Sequence, residues 1–369
     1  MKKIFLIIFL TALALAGGFF FLKTKDLKIL PSQAELGNSA DPRTFDSFRG
    51  VVNLEYKRPV VQTSEQNLPP GRSPFSETSP EQKGESSTAN KDLSFSFAIL
   101  GDTQSFDFGN SNGNFQKAAK KISEKNPDLV IATGDLVSSS ENYTEYSQKF
   151  SEWKRIMSPL LSKTYAAMGN HDNIDQKGEK AWQEAFNFPT NGPTGYSETV
   201  YSLDFKNSHF VFLNSDHEKE HLVNDDQRAW LEQDLAANKK ENIFVVFHEP
   251  AYPVSDKAGE GLDADPSQRN ALWEIIDRHN VTAVFNGHEH IASRRKIDNR
   301  VSSAAKNNIY QFVFGNTDSF NHNLPSPGVA EYANQDQGVF GFVKVMGKEI
   351  TVETFGSDGK LLNTFTFSK

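Results

Sequence analysis

The chain has 369 residues, a formal net charge of −8 and no cysteine. The acidic charge argues against a protein that holds nucleic-acid backbones, because that task needs a basic surface, and we expect no stable nucleic-acid complex. Without cysteine, disulfides and thiolate metal sites are excluded, so any metal must be held by oxygen and nitrogen atoms. Hydrophobic residues make up 37% of the chain, which is enough for a globular core.

The N-terminal segment, residues 1–25, is predicted to meet a membrane. Met1–Lys3 start it with positive charge, and an uncharged apolar stretch follows from Ile4 to Leu22. Two interpretations remain open. The small residues Ala14 and Ala16 form the pattern of a cleaved signal peptide, whereas the full apolar length slightly favours an uncleaved anchor. Both predict an extracytoplasmic protein, either membrane-anchored or secreted.

Residues 26–92 are predicted to form a flexible linker. They are rich in Ser, Pro, Gln, Glu and Asn and contain few apolar clusters. The stretch Ser47–Tyr56 is more apolar and is a candidate for an additional strand. From residue 93 onward, short apolar runs alternate with amphipathic stretches, which predicts a folded domain over residues 93–369.

Apolar runs within this domain predict strands, and several of them are continuous, as expected of strands covered on both faces. Helical patterns lie between the runs, and one has a clear start, with Asp265 as a cap and Pro266 in the first turn. The sum predicts a layered α/β or α+β domain with helices outside sheet. The predicted strands are Ser94–Leu100, Leu129–Ala132, Thr164–Ala167, Thr199–Phe205, His209–Leu213, Ile243–Phe247, Thr282–Asn286, Tyr310–Phe314, Val339–Met346, Glu349–Phe355 and Leu361–Phe367.

Polar residues with metal-binding side chains follow five of these strands. In open α/β sheets, ligands bind beyond the carboxyl ends of the strands, so we expect the loops to converge. Each cluster alone is typical of a turn or a structural histidine, but five in series indicate a site. Carboxylate, amide oxygen and imidazole suit Mn, Fe, Zn, Mg or Ca. The clusters are Asp102 and Gln104, then Asp135, then Asn170-His171-Asp172, then His248, and finally His288 and His290, with Gly101, Gly134, Gly169 and Gly287 beside them.

The ordered series Asp102-x-Gln104, Gly134-Asp135, Gly169-Asn170-His171-Asp172, His248 and Gly287-His288-x-His290 resembles the signature of the calcineurin-like metallophosphoesterase superfamily. This resemblance implies an α+β fold with α/β/β/α layers, in which helices flank a sandwich of two mixed sheets. It also implies two divalent metal ions, which we expect to be Mn, Fe or Zn. One metal would be held by Asp102, Gln104, Asp135 and His290, and the other by Asp135, Asn170, His248 and His288.

By the same resemblance, the protein would be an exported hydrolase of phosphate monoesters or diesters. Two close cations can share a bridging hydroxide that attacks the phosphorus in line. His171 would contact the phosphate together with Asn170 and protonate the leaving oxygen, and Asp172 could orient the His171 ring. The expected substrate is a phosphorylated small molecule or a nucleotide.

Two departures from the family pattern bear on this expectation. The commoner first block is Asp-x-His, whereas Gln104 offers an uncharged oxygen, which predicts weaker binding or a harder metal. Purple acid phosphatases carry Tyr where this chain has Ser138, so no tyrosinate-coloured iron site is expected. A nucleotide or dinucleotide pyrophosphatase is one alternative. A surface-anchored binding module with a degenerate metal site is the other.

Two loops are of secondary interest. Asp216, His217, Glu218 and His221 form a polar loop after a strand. This composition is typical of a solvated loop, and lining of the substrate cleft is the alternative. The stretch Tyr252–Asp265, with two glycines, resembles a mobile flap that follows His248.

Overall fold

The computed structural model describes residues 94–104, 113–173, 176–324, 328–336 and 338–369. The predicted N-terminal segment 1–25, the predicted linker 26–92 and its candidate strand Ser47–Tyr56 lie outside the described residues. Within the described residues, no helix combines the length and the apolar character needed to cross a bilayer.

The first sheet has six strands, of which three are parallel and supply loops to one edge. In chain order its strands are β1 (Phe95–Leu100), β2 (Leu129–Ala132), β3 (Thr164–Ala166), β11 (Val339–Met346), β12 (Glu349–Gly356) and β13 (Leu361–Ser368). The spatial order is β13-β12-β11-β1-β2-β3. β1, β2 and β3 run parallel, whereas β11, β12 and β13 are antiparallel neighbours that follow one another through tight turns.

The second sheet has seven strands with a parallel centre. In chain order they are β4 (Tyr201–Phe205), β5 (Ser208–Phe212), β6 (Asn242–Val246), β7 (Ala283–Asn286), β8 (Ala292–Ile297), β9 (Ile309–Phe314) and β10 (Tyr332–Asn334). The spatial order is β10-β8-β9-β7-β6-β5-β4. β5, β6, β7 and β9 form the parallel centre, and antiparallel strands complete both edges.

Phenylalanine side chains join the two sheets. Phe97 of β1 lies with its ring centroid 5.3 Å from Phe210 of β5, 5.3 Å from Phe244 of β6 and 5.8 Å from Phe285 of β7, all in edge-on contacts. All four rings are fully buried. Such contacts add specific geometry to a large burial of apolar area, which explains the use of many aromatic residues in this sandwich.

Five helices of the described chain cover the outer faces: α1 (Asn114–Lys125), α2 (Tyr143–Ile156), α3 (Gln176–Ala185), α4 (Asp225–Ala237) and α5 (Pro266–Arg278). α1, α2 and α3 belong to the same core cluster as the first sheet, and α4 and α5 pack in a second cluster with the second sheet. The Asp265 side chain accepts from the backbone amides of Ser267 and Gln268, as the sequence predicted. The layered fold of two mixed sheets flanked by helices is therefore confirmed.

Candidate metal centre

The seven predicted metal ligands come together at one edge of both sheets. Loops after β1, β2 and β3 bring four of them from the first sheet, and loops after β6 and β7 bring three histidines from the second sheet. We call this group the metal cage. Its members are Asp102, Gln104, Asp135, Asn170, His248, His288 and His290.

One half of the cage groups Asp102, Gln104, Asp135 and His290. A ligand atom from each of Asp102, Asp135 and His290 lies within 4.8 Å of the other two. His290 Nε2 is 3.4 Å from Asp102 Oδ1 and 3.1 Å from Gln104 Nε2. Both aspartates are buried, so little water screens the charge that either of them carries.

The other half groups Asn170, His248 and His288 around the same Asp135. Asn170 Oδ1 lies 3.0 Å from His248 Nε2 and 3.1 Å from His288 Nδ1. His248 Nε2 is also 3.4 Å from Asp135 Oδ1. Asp135 is therefore the carboxylate that both halves share.

Backbone carbonyls fix the orientation of two of these histidines. His290 Nδ1 lies 2.6 Å from the Phe320 carbonyl, and His248 Nδ1 lies 2.9 Å from the Thr133 carbonyl. A carbonyl oxygen can accept a hydrogen bond but cannot donate one. Nδ1 therefore carries a proton in each ring, and Nε2 faces the cage. Metal-binding histidines usually show this arrangement, which raises their basicity and holds the ring in place.

Orphaned polar atoms show that the cage suits a cation. Among the described residues, Gln104 Oε1 and His288 Nε2 are buried without a hydrogen-bond partner. The Gln104 amide nitrogen instead donates to Asp135 Oδ2 at 3.3 Å. This NH₂ group takes the place of a positive charge between Asp135 and His290. A half-turn of the amide would present its oxygen there, as a ligand must.

Burial also governs the charge of the cage histidines. Burial lowers the pKa of His288 to about 3, helped by the charge of His248, and burial likewise lowers the pKa of His290 to about 3. Both rings are therefore neutral near pH 7, which is the metal-binding form. Burial also opposes the charge on His248, but Asp135 holds the pKa of this ring well above its usual value. A proton on His248 thus supplies charge that a metal would replace.

The pKa values of the carboxyl groups diverge within the cage. Burial raises the pKa of Asp102 well above its usual value, and the nearby charge of Asp135 adds to this effect. Burial opposes ionisation of Asp135 as well, but His248 and His171 hold its pKa far below the usual value. Divergent pKa values in a buried cluster are typical of functional sites.

The backbone of the cage is unusually strained. Asp102, Asp135, His288 and His290 have φ values of 53°, 51°, 67° and 47°, in the left-handed region that non-glycine residues rarely adopt. Each such residue costs on the order of 1–2 kcal/mol, and the surrounding structure must offset it. Strain of this kind clusters at active sites and ligand clamps.

Gly169, beside Asn170, lies in close contact with another member of the cage. A Cβ at Gly169 would lie 2.4 Å from both the backbone nitrogen and Oδ1 of Asp135. Gly169 is therefore required by the close approach of a neighbouring ligand. Of the four glycines beside the chelating clusters, Gly101, Gly134, Gly169 and Gly287, only Gly134 has positive φ, at 100°.

His171 and Asp172 lie beside the cage but differ in environment. The His171 ring is 37% exposed, its Nε2 is 4.0 Å from Asp135 Oδ2, and its backbone N–H donates to Asp135 Oδ1 at 2.8 Å. Its Nδ1 lies 2.9 Å from Ser139 Oγ. Asp172 is buried and accepts from the backbone amides of Val137 and Gly169. The polar contact that orients the His171 ring therefore comes from Ser139.

Sequence reasoning missed three supporting groups: Ser139 Oγ and the carbonyls of Thr133 and Phe320. A carbonyl leaves no signal in the sequence, because every residue has one. In the stretch after His248, the Glu289 side chain accepts from the backbone amides of Val254 and Ser255. Glu289 lies between His288 and His290 in the sequence. The loop that carries these two histidines therefore also holds the stretch after His248.

Comparison with known proteins gives a family match. The model of the family described as calcineurin-like phosphoesterase matches residues 95–292. Purple acid phosphatase 23 of Arabidopsis thaliana is 27% identical over 203 residues, which are 47% of this chain and 43% of that protein. A protein named probable cyclic nucleotide phosphodiesterase, from Vesicomyosocius okutanii subsp. Calyptogena okutanii (strain HA), is 25% identical over 188 residues, covering 51% of this chain and 72% of that protein.

Solved structures share the fold at low sequence identity. Purple acid phosphatase PPD1 from yellow lupin (Lupinus luteus) seeds has a TM-score of 0.62 at 19% identity, over 74% of this chain and 54% of that one. PhoD has a TM-score of 0.58 at 12% identity, over 75% and 70% of the two chains. The chain spans less than half the length of the Arabidopsis relative, so the likeness concerns one part of that protein.

Proposed function

Because the chain belongs to the calcineurin-like phosphoesterase family, we propose that it hydrolyses phosphate mono- or diesters with two divalent metal ions. The family match and the purple acid phosphatase relatives support a metal-dependent phosphoester hydrolase. One observation carries the proposal: two groups of oxygen and nitrogen atoms, each with members from both sheets, share the carboxylate of Asp135.

The cage would hold one metal with Asp102, Gln104, Asp135 and His290, and the other with Asp135, Asn170, His248 and His288. When bound, such a pair of cations lowers the pKa of water and draws charge from the phosphoryl oxygens. The predicted ligands include two formal negative charges, from Asp102 and Asp135, so two dications leave a net positive site. This charge lets an acidic protein attract a phosphate ester.

We propose that His171 moves a proton to the leaving oxygen. Its ring is partly exposed and close to the bridging carboxylate, so a phosphate ester on the metals would meet it from the solvent side. Ser139 Oγ holds Nδ1, which leaves Nε2 toward Asp135 and the substrate. General acid catalysis of this kind contributes on the order of 10² to 10⁴ in rate.

Asp172 takes a positioning role in this scheme. Its Oδ2 accepts from the backbone amide of Gly169, directly before Asn170, and its Oδ1 accepts from the backbone amide of Val137, in the loop after β2. It thereby ties the His171 loop to the Asp135 loop. We therefore propose that Asp172 acts through the backbone and that Ser139, a residue outside the family signature, orients the acid.

A pair of variants tests the proposal. His171→Ala should retain full metal content and lose about 10²- to 10⁴-fold in kcat on alkyl phosphate esters. The loss should be smaller on nitrophenyl esters, because nitrophenolate leaves without a proton. Asp135→Asn should lose both metal and turnover. His279→Ala, which removes a histidine paired with Glu232 on α4, is the matched control and should behave as the wild type.

The decisive negative result concerns the wild type. Folded protein reconstituted with Mn²⁺, Fe²⁺ or Zn²⁺ that turns over no mono- or diester would contradict the hydrolase. Substoichiometric metal together with no turnover would favour a binding module with a degenerate site. Preferential cleavage of nucleoside diphosphate derivatives would favour the pyrophosphatase alternative.

Nucleotide esters are a second candidate substrate class. The relative named as a probable cyclic nucleotide phosphodiesterase aligns over 72% of its own length, a fuller coverage than that of the Arabidopsis relative. A substrate panel should therefore compare cyclic nucleotides with simple diesters. Higher kcat/KM for the cyclic nucleotides would support this narrower function, and equal values would leave the general phosphoesterase.

We further propose that the folded domain, residues 93–369, acts outside the cytoplasm, behind the N-terminal segment 1–25 and the linker 26–92. The apolar run from Ile4 to Leu22 supports this location. Fractionation of cells with and without residues 1–25 tests it. Cytoplasmic recovery of the full chain would contradict export, and a shortened N-terminus in the exported protein would select the cleaved signal peptide over the anchor.

A further inference from the structure

A second group of metal-ligating side chains lies outside the metal cage. One ligand atom from each of Asp216, His221 and Glu249 lies within 4.8 Å of the other two. The Asp216 and Glu249 side chains are 1% and 0% exposed, whereas the His221 side chain is 45% exposed. Two buried carboxyl groups are therefore gathered beside a single histidine that solvent can reach.

One ring nitrogen serves both carboxyl groups. His221 Nδ1 lies 2.6 Å from Glu249 Oε1 and 3.4 Å from Asp216 Oδ1. A single N–H bonds one acceptor well, and in the described chain Asp216 Oδ1 and Glu249 Oε2 are buried without a hydrogen-bond partner. Buried carboxyl oxygens left in this state carry a large desolvation cost unless a cation or a proton joins them.

A histidine elsewhere in the fold shows how two carboxylates are satisfied without a metal. His209 uses both ring nitrogens, with Nδ1 2.7 Å from Asp204 Oδ1 and Nε2 2.7 Å from Asp234 Oδ2. Each carboxylate has its own N–H partner, and none of these atoms is orphaned. The two groups have the same composition, one histidine and two carboxyl groups. At His221, however, one ring nitrogen serves both acids, and within the described residues one oxygen of each acid has no hydrogen-bond partner.

Gly261 packs closely against the orphaned oxygen of Glu249. A Cβ there would lie 3.1 Å from Glu249 Oε2, which is tighter than an ordinary contact, so only a glycine permits this close approach without a shift. Ser215 Oγ donates to the other oxygen of Asp216 at 2.7 Å, which holds that carboxyl group in place. Each acid thus has one oxygen in a hydrogen bond, whereas Asp216 Oδ1 and Glu249 Oε2 have none in the described chain.

We infer that Asp216, His221 and Glu249 bind a third divalent cation, Mn²⁺ or Zn²⁺, next to the cage. Two carboxylates and one imidazole are donors that these borderline cations accept, and three protein ligands leave a position for water. Neighbouring ligand atoms at bonds of about 2.1 Å lie about 3.0–3.4 Å apart. His221 Nδ1 lies 3.4 Å from Asp216 Oδ1, which fits this spacing, and its 2.6 Å separation from Glu249 Oε1 would widen with a small shift of the exposed histidine.

Counting bound metal tests the inference. Full-length wild type and Asp216→Asn are reconstituted with Mn²⁺, freed of excess metal and analysed by mass spectrometry of the elements. Asp216→Asn should hold one Mn²⁺ per chain fewer than the wild type. Asp234→Asn, which alters the comparable carboxylate at His209, is the matched control and should lose none. Equal metal content in wild type and Asp216→Asn overturns the third site and leaves a shared proton between the acids.

The same count in an Asp135→Asn background separates this inference from the proposed function. The difference of one Mn²⁺ should persist when the cage is disabled, whether or not the protein is a hydrolase. Should Asp216→Asn fail to fold, His221→Ala offers a second test at a half-exposed side chain. Its Mn²⁺ affinity at this site should fall by about 10-fold or more. An unchanged affinity would equally overturn the site.

Discussion

Gly169→Ala should disable the metal cage while leaving the fold intact. The new Cβ would lie 2.4 Å from Oδ1 and from the backbone nitrogen of Asp135, and 3.0 Å from His248 Cε1. Carbon and oxygen atoms come no closer than about 3.3 Å, even in weak hydrogen bonds. Asp135 must therefore move by about 1 Å. Gly169 itself cannot retreat freely, because its N–H is bonded to Asp172 Oδ2 at 3.0 Å.

The expected loss follows from this displacement. A shift of about 1 Å in a positioned group costs roughly 10²-fold in rate. Overpacking adds about 1–3 kcal/mol of destabilisation. We therefore expect kcat on a nitrophenyl ester to fall about 100-fold and bound metal to decrease, whereas the unfolding midpoint in urea falls only modestly.

A matched control separates strain from displacement. Gly347 lies in the turn between β11 and β12 with φ of 61°, and among the described residues nothing beyond its chain neighbours comes within 4 Å of where an added Cβ would lie. Gly347→Ala should cost about 1–2 kcal/mol from the backbone alone and leave kcat unchanged. If Gly169→Ala keeps wild-type kcat and metal content, Asp135 does not need its present position, and the reasoning about the cage is wrong.

Three further results are expected. Tyr201→Phe should lower the free energy of unfolding by about 1–3 kcal/mol in urea titrations, because its buried hydroxyl accepts from the N–H and donates to the carbonyl of Ala166, and an unchanged value would contradict this. Chelation should lower Tm, since cations at 100 times their Kd stabilise by about 2.7 kcal/mol per site; Asp135→Asn should show a smaller shift, and equal shifts would argue against the cage. Burial opposes the charge on His209, but Asp234 and Asp204 raise its pKa above the ordinary value. The stability advantage of wild type over His209→Gln should therefore be full below the ordinary pKa of histidine and vanish as pH rises through the raised pKa. An advantage that grows with pH would refute this.

Strands formed by apolar runs were largely predictable from the sequence, whereas two strands without an apolar run, β8 and β10, were not. β2 and β11 have the predicted bounds, and other predicted strands differ by one or two residues at their ends. β8 was missed because its sequence, ASRRKI, has no apolar run. The guanidinium group of Arg294 in this strand lies 3.7 Å from the centroid of the Phe365 ring. Phe365 belongs to the other sheet, so this contact exists only in the folded protein. β10, with only three residues, gives no periodic signal.

The site shows the same division between what a sequence encodes locally and what only the fold creates. Chelating residues at strand ends predicted that seven side chains would converge, because parallel strands end at a common edge. The partners of those side chains were not predictable. The polar composition around Asp216 is typical of a solvated loop, yet this side chain is 1% exposed, because its loop folds back against Glu249. Burial of a polar residue depends on what packs over it, which periodicity does not record.

The division of the cage between two sheets has a mechanical consequence. Asp102, Asp135 and Asn170 extend from the first sheet, and His248, His288 and His290 from the second. Cations bound by both sets would act as cross-links between the two layers, so the layers could separate only after the ligands let go. We expect the loaded protein to unfold far more slowly than the metal-free chain. Resistance of the protein to proteolysis would then depend on metal supply.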